Sequence, residues 1–145
     1  MAKRYINWHD DAQREVADIL RADPWFVNHR CAIVERESKD MLRLVETALD
    51  QLDGPVVVVG VDAMTNNYPA VEIELSCEVT EAVASNRLRD RFATAMQVAQ
   101  RVAQDIDGPV WRWQETREEE PEQWALKATA KFRGLRVAKG QCVIG

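Results

Sequence analysis

Chemistry needs particular side chains at particular spacings, and this chain offers few candidates. His29 and Cys31 lie two residues apart, a spacing that on a strand points both to one face and would suit two metal ligands. A structural zinc site takes four ligands, usually in close pairs, and the second histidine, His9, is remote in sequence. The same pair makes a poor nucleophile and base, because neighbours on one strand face are too far apart and too buried to activate a thiol. Glu72, Glu74 and Glu78, with Glu35 and Glu37 as further carboxylates, would serve acid–base chemistry only if unlike environments drove their pKa values apart. Their regular alternation reads instead as one solvated sheet face. The six glycines form neither a G-x-G-x-x-G nor a Walker-type loop. No catalytic, cofactor-binding or metal-ligating residue is assigned, and the expectation is a protein that is not an enzyme and carries no cofactor.

Residues suited to binding are easier to find. Arg87, Arg89 and Arg91 crowd the expected first turns of a long helix, where the helix dipole disfavours positive charge by a few tenths of a kcal/mol each. Breaking that local rule marks them as candidate interface residues for an anion or an acidic patch on another subunit. Five tryptophans stand at positions 8, 25, 111, 113 and 124. Trp113 and Trp124 are expected to meet in the core across a hairpin, whereas Trp8 and Trp25 are candidate interface anchors. Asn66 and Asn67 complete the candidate set, in a stretch 62–69 read as a mobile loop because it has turn residues and no periodicity.

The elements that must position these residues start from Val71-Glu72-Ile73-Glu74-Leu75-Ser76-Cys77-Glu78-Val79, where apolar and polar residues alternate without a break. This is a half-buried strand with an acidic outer face. Residues 124–133 repeat the alternation with Lys127, Thr129, Lys131 and Arg133 on the polar face. Directly opposed unlike charges on paired strands contribute roughly 0.2–1 kcal/mol each, so the two strands are expected to be neighbours. Val56 to Val61 is apolar on both faces, as an interior strand should be. A short helix is expected over 11–21, stopped at Asp23-Pro24, then a strand over 25–35 and a second helix over 38–53. A long helix follows from Asn86 to Ile106, then a hairpin of two strands turning at 118–121. Leu52-Asp53-Gly54-Pro55-Val56 and Ile106-Asp107-Gly108-Pro109-Val110 share one punctuation, read as a left-handed glycine stop before a strand. The order predicts an α+β fold: a βαββαβ-like core with an N-terminal helix and a C-terminal strand, forming one mixed sheet of about four or five strands with helices packed on it.

Composition sets the outer limits. The chain of 145 residues, 46% hydrophobic and 30% charged, is expected to form a single domain, with residues 1–9 and 137–145 as poorly ordered tails. A net charge of −5 argues against broad nucleic-acid or anionic-membrane binding. Three cysteines without paired spacing read as reduced thiols in a cytosolic setting. The N-terminus has no apolar stretch of signal-peptide type, and the longest apolar run is far short of a membrane span. Cys142-Val143-Ile144-Gly145 has the outline of a prenylation box but ends on the wrong residue.

Two phrases carry a family resemblance. Ile19-Leu20-Arg21-Ala22-Asp23-Pro24 resembles the end of the first helix in many tailed-phage head–tail and tail-completion proteins. Residues 71–87, an alternating strand closing in Ala84-Ser85-Asn86-Arg87 before a helix and a terminal hairpin, are similar to the core of phage tail terminator-like proteins. The resemblance spans roughly residues 10 to 136, in layout more than identity, and the expected helix over 38–53 departs from it. It implies a structural protein without catalytic residues, made in the bacterial cytoplasm and carried in the virion. Such proteins form homo-oligomeric rings, commonly hexameric, that cap the tail tube at its head-proximal end and meet the head-completion proteins, without membrane or specific nucleic-acid partners. The alternative from another class is a small ferredoxin-like enzyme or ligand-binding domain with a pocket between sheet and helices.

Overall fold

The computed structural model describes residues 8–36, 54–67, 69–82, 94–122 and 125–137. Helix α1 covers Trp8–Arg21, α2 Pro24–Asn28 and α3 Ala95–Ile106; the strands are β1 (Ala32–Glu35), β2 (Val56–Asn67), β3 (Ala70–Ala82), β4 (Trp111–Glu118) and β5 (Ala125–Val137). One mixed sheet has the order β1-β2-β3-β5-β4 and carries these helices, an α+β fold as the element order predicts. Among these five strands β1 and β2 pair in parallel, and β2–β3, β3–β5 and β5–β4 pair antiparallel. β4 follows α3 and yet lies at the far edge, because β5 inserts between it and β3. This is a split β-α-β crossover.

The complementary strands are neighbours. β3 and β5 pair along their whole length, with Glu74 opposite Arg133, Ser76 opposite Lys131 and Glu78 opposite Thr129. Arg133 reaches two carboxylates, Glu72 at 2.8 Å and Glu74 at 3.1 Å. These groups are substantially solvated, so their value lies more in fixing register than in stability. The other face of the strands is the core. Val57, Val59, Ile73, Leu75, Cys77, Val79, Ala128, Ala130 and Phe132 pack against Val16, Ala17 and Leu20 of α1 and Val98, Ala99 and Val102 of α3. Val56 and Val34 form a smaller buried cluster with Ala32 and Val58, so β2 is covered on both sides where its run of valines required it.

Several expectations are corrected. The strand over 25–35 is a helical turn followed by a short strand. Asp23 caps α2 by accepting the Trp25 N–H at 2.9 Å, and Pro24 occupies the first turn, where its missing N–H costs nothing. Arg30 then takes a left-handed conformation (φ 57) to turn the chain into β1. His29 and Cys31 therefore share no strand face. The supposed loop over 62–69 is strand as far as Asn67, paired with the first half of β3 across a bulge between Val61 and Ala63. The bulge frees a backbone donor, and the buried Gln13 side chain of α1 accepts the Val61 N–H at 2.9 Å. Replacing Gln13 by leucine is expected to cost roughly 1–3 kcal/mol, since it strands that donor in the core; urea unfolding measures it.

α3 begins at Ala95, not Asn86. Thr94 is extended (φ −72, ψ 162) and forms a reciprocal capping box with Gln97, which defines a start that apolar spacing alone overruns. The buried Glu81 carboxylate, at the end of β3, also accepts the Ala95 N–H at 2.9 Å. At the other end Gly108 is not left-handed. Asp107 closes the helix instead, and its carboxylate accepts the Trp113 N–H at 2.9 Å. α1 starts at Trp8, so Trp8 and His9 belong to a helix rather than a tail, and Val137 ends β5 opposite Ala70. The expected helix over 38–53 lies outside the described residues.

Candidate functional site

Most of the candidate interface set is dispersed or lies beyond the described residues. Arg87, Arg89 and Arg91 lie outside them. Asn66 is exposed near the end of β2, and Asn67 closes that strand opposite Ala70. Trp8 and Trp25 are half-buried and pack against the core. Trp25 stacks on His29 with ring centroids 4.1 Å apart, meets Phe26 edge-on at 5.2 Å, and lies under the Arg101 guanidinium at 5.5 Å. Trp111 is 1% exposed, whereas Trp113, expected in the core, is 47% exposed; its indole donates to the Thr116 hydroxyl at 2.8 Å. Trp124 lies outside the described residues.

Around Trp25 the fold assembles a cluster that no local pattern announces. Arg101 of α3 donates to Asp23 at 2.9 Å and lies 3.7 Å from Asp105 one turn further on. The Arg101 hydrogen bond holds Asp23 well below the usual carboxylate range. Desolvation, with Asp23 as hydrogen-bond partner and like charge, pushes Asp105 up to about 6. Among the described residues the buried Oδ2 of Asp105 has no hydrogen-bond donor. A carboxylate beside a carboxylate is tolerable when one holds a proton, and below about pH 6 Asp105 is the one that carries it. Asp23 before Pro24 was readable as a cap and Arg101 and Asp105 as an i,i+4 pair, but nothing local could join residues 78 positions apart. Every member has a structural partner, and the arrangement ties α2 to α3. Among the described residues the two thiols are held protonated at neutral pH: burial pushes Cys31 up to about 12 and raises the fully buried Cys77 as well.

The larger surface is the sheet face opposite the helices. It forms a concavity of about 600 Å³ over β3, β5 and β4, lined by cations and carboxylates of alternating sign. Its cations are engaged: Arg133 with Glu74, Lys131 with Glu115 at 3.7 Å, Arg117 with Glu119 at 3.6 Å, and Arg36 with Asp62 at 3.1 Å. Arg36 lies flat across Gly60, where a Cβ would sit 2.1 Å from its guanidinium carbon, and donates on to the Val61 carbonyl and the Ser76 hydroxyl. A second, more apolar groove of about 540 Å³ runs between α3 and β4, lined by Met96, Ala103 and Trp113 among others. Among the described residues no group of three or more His, Cys, Asp or Glu is placed to hold a metal ion. No helix among them is long and apolar enough to cross a membrane.

The fold and surface define an α+β protein with one mixed sheet and a charged open face. No family model matches the chain, and no curated protein matches its sequence.

Proposed function

We propose that the chain is a structural assembly protein that acts by associating with copies of itself, in the manner of the phage or prophage tail terminator-like proteins its sequence resembles. In that role it forms a ring at the head-proximal end of a tail and offers a surface to the tail tube and head-completion proteins. The observation that carries the reading is the β4 edge of the sheet. There Trp113, 47% exposed, lines a groove against α3, Val110 just ahead of the strand is 45% exposed, and Glu115 and Arg117 of the same strand line an open face of alternating charge. A large aromatic left in water at a sheet edge is what an interface uses as an anchor. The alternative of a ligand-binding domain draws on the 600 Å³ concavity, but the pairing of its cations with its own carboxylates favours a surface over a pocket awaiting a charged ligand.

Light-scattering chromatography over a micromolar to millimolar range, with negative-stain images of the same fractions, tests this. A multi-subunit mass and closed particles are expected. A monomer throughout would sink the reading.

A further inference from the structure

The two edges of the sheet are finished differently. β1 is four residues long, and Arg21 lies along it, donating to the Ile33 carbonyl at 3.2 Å and pairing with Glu35 at 3.3 Å. An arginine laid over a short edge is a device against recruiting another strand. β4 is eight residues long, and among the described residues only its first half is occupied. There the Gly108 N–H donates to the Trp111 carbonyl at 2.9 Å, and Asp107 accepts from Trp113. Beyond the bulge at 113–115, Arg117 pairs with Thr129 and the Glu119 N–H donates to the Lys127 carbonyl at 3.0 Å. Antiparallel alternation then turns the backbone groups of Thr116 and Glu118 outward. Among the described residues no strand pairs with that side.

We propose that this edge pairs with the same edge of a second copy of the chain, antiparallel and centred on Thr116, so that two sheets join into one. The proposal rests on the self-association reading and names the contact that performs it. The order of charges in Arg112-Trp113-Gln114-Glu115-Thr116-Arg117-Glu118-Glu119-Glu120 selects the register. Centred on Thr116, Arg117 faces Glu115 of the second copy, and the two-fold repeats the pair. Sliding one copy by two residues opposes Arg117 to Arg117 in one direction and Glu115 to Glu115 in the other. Directly opposed unlike charges favour a strand pair and like charges disfavour it, so one register stands apart from its neighbours. Glu115 and Arg117 are both exposed and lie on the open face, so the joint extends the alternating charge of that face from one copy into the next. The contact is isologous: it closes at two, and any larger ring is built from an even number of chains.

Charge exchange tests this contact apart from self-association in general. Arg117→Glu and Glu115→Arg, each alone, place like charges across the joint. Each is expected to be folded by circular dichroism and to lose the wild-type mass in light-scattering chromatography, halving it where the wild type is a dimer. An equimolar mixture of the two variants restores unlike pairs at both positions and is expected to recover the wild-type mass, as is the double variant E115R/R117E. If both single variants keep the wild-type mass, or the mixture and the double variant stay dissociated, this contact is wrong even though the protein self-associates. If the wild type is monomeric at every concentration, both the contact and the self-association reading fall.

Discussion

Trp111→Ala is expected to remove roughly 3–5 kcal/mol of stability, the usual cost of emptying a large aromatic site in a core. Trp111 is 1% exposed and lies on Gly134, its cross-strand partner, so closely that a Cβ there would come within 2.5 Å of the indole. The glycine therefore makes the seat, and the ring covers the backbone that glycine leaves bare. Arg136 of β5 lies over the indole at 5.4 Å and pairs with Glu15 of α1, so the same ring supports a link between helix layer and sheet. In a protein of this size each kcal/mol shifts the midpoint by ~2–4 °C, so a fall of roughly 6–20 °C is expected in a thermal scan. Trp111→Phe provides the contrast. Among the described residues the buried indole N–H has no partner, so phenylalanine loses volume but also removes an unsatisfied donor, and its cost is expected to stay below about 2 kcal/mol. If the two variants are equally destabilised, packing on Gly134 is not what Trp111 contributes.

Asp105→Asn is expected to change how stability depends on pH. The pKa of Asp105 is raised from 3.8 to about 6 in the folded protein. A group so raised holds its proton in the folded state where the unfolded chain has released it. Its contribution is thus fully present below about pH 4 and is lost as pH rises through about 6. Asp23 has the opposite sign: its lowered pKa contributes stability above the ordinary carboxylate range, which is lost only in strong acid. Asparagine cannot ionise and offers an N–H toward Asp23 in place of the shared proton. The variant is therefore expected to gain on the wild type as pH rises from about 4 to about 6 and to keep that gain above it, by on the order of 1–3 kcal/mol. Denaturant unfolding at closely spaced pH values measures the two curves. Parallel curves through that window would show that Asp105 does not hold the proton.

The charge pattern of residues 71–79 and 124–133 was enough to make neighbours of two strands far apart in sequence, because opposite charges on alternating positions admit few other satisfactory partners. The valine run of β2 and the apolar stripe of α3 were legible for the same reason: periodicity reports which face meets the core. The misses lie where local signals compete. Pro24 was read as a stop for α1, which it is, but it also starts α2 under the Asp23 cap. Asn66 and Asn67 suggested a loop, yet the antiparallel partner in β3 supplies hydrogen bonds that outweigh weak strand propensity. The start of α3 was overrun because apolar spacing carries no information about caps, while Thr94 and Gln97 do.

The candidate sites divide along the same line. By itself the sequence determined the α+β class, the long alternating strands and the pairing of acidic β3 with basic β5, because each depends on side-chain type and period along a single stretch. Only the tertiary structure decided that β5 enters between β3 and β4, leaving β4 as an edge with Trp113 exposed and Trp111 buried. It alone brought Asp23 to Arg101 and Asp105, and Gln13 to the bulge at Val61. These contacts join residues that share no local pattern, and only the closing of the sheet and the docking of the helices sets which of them meet.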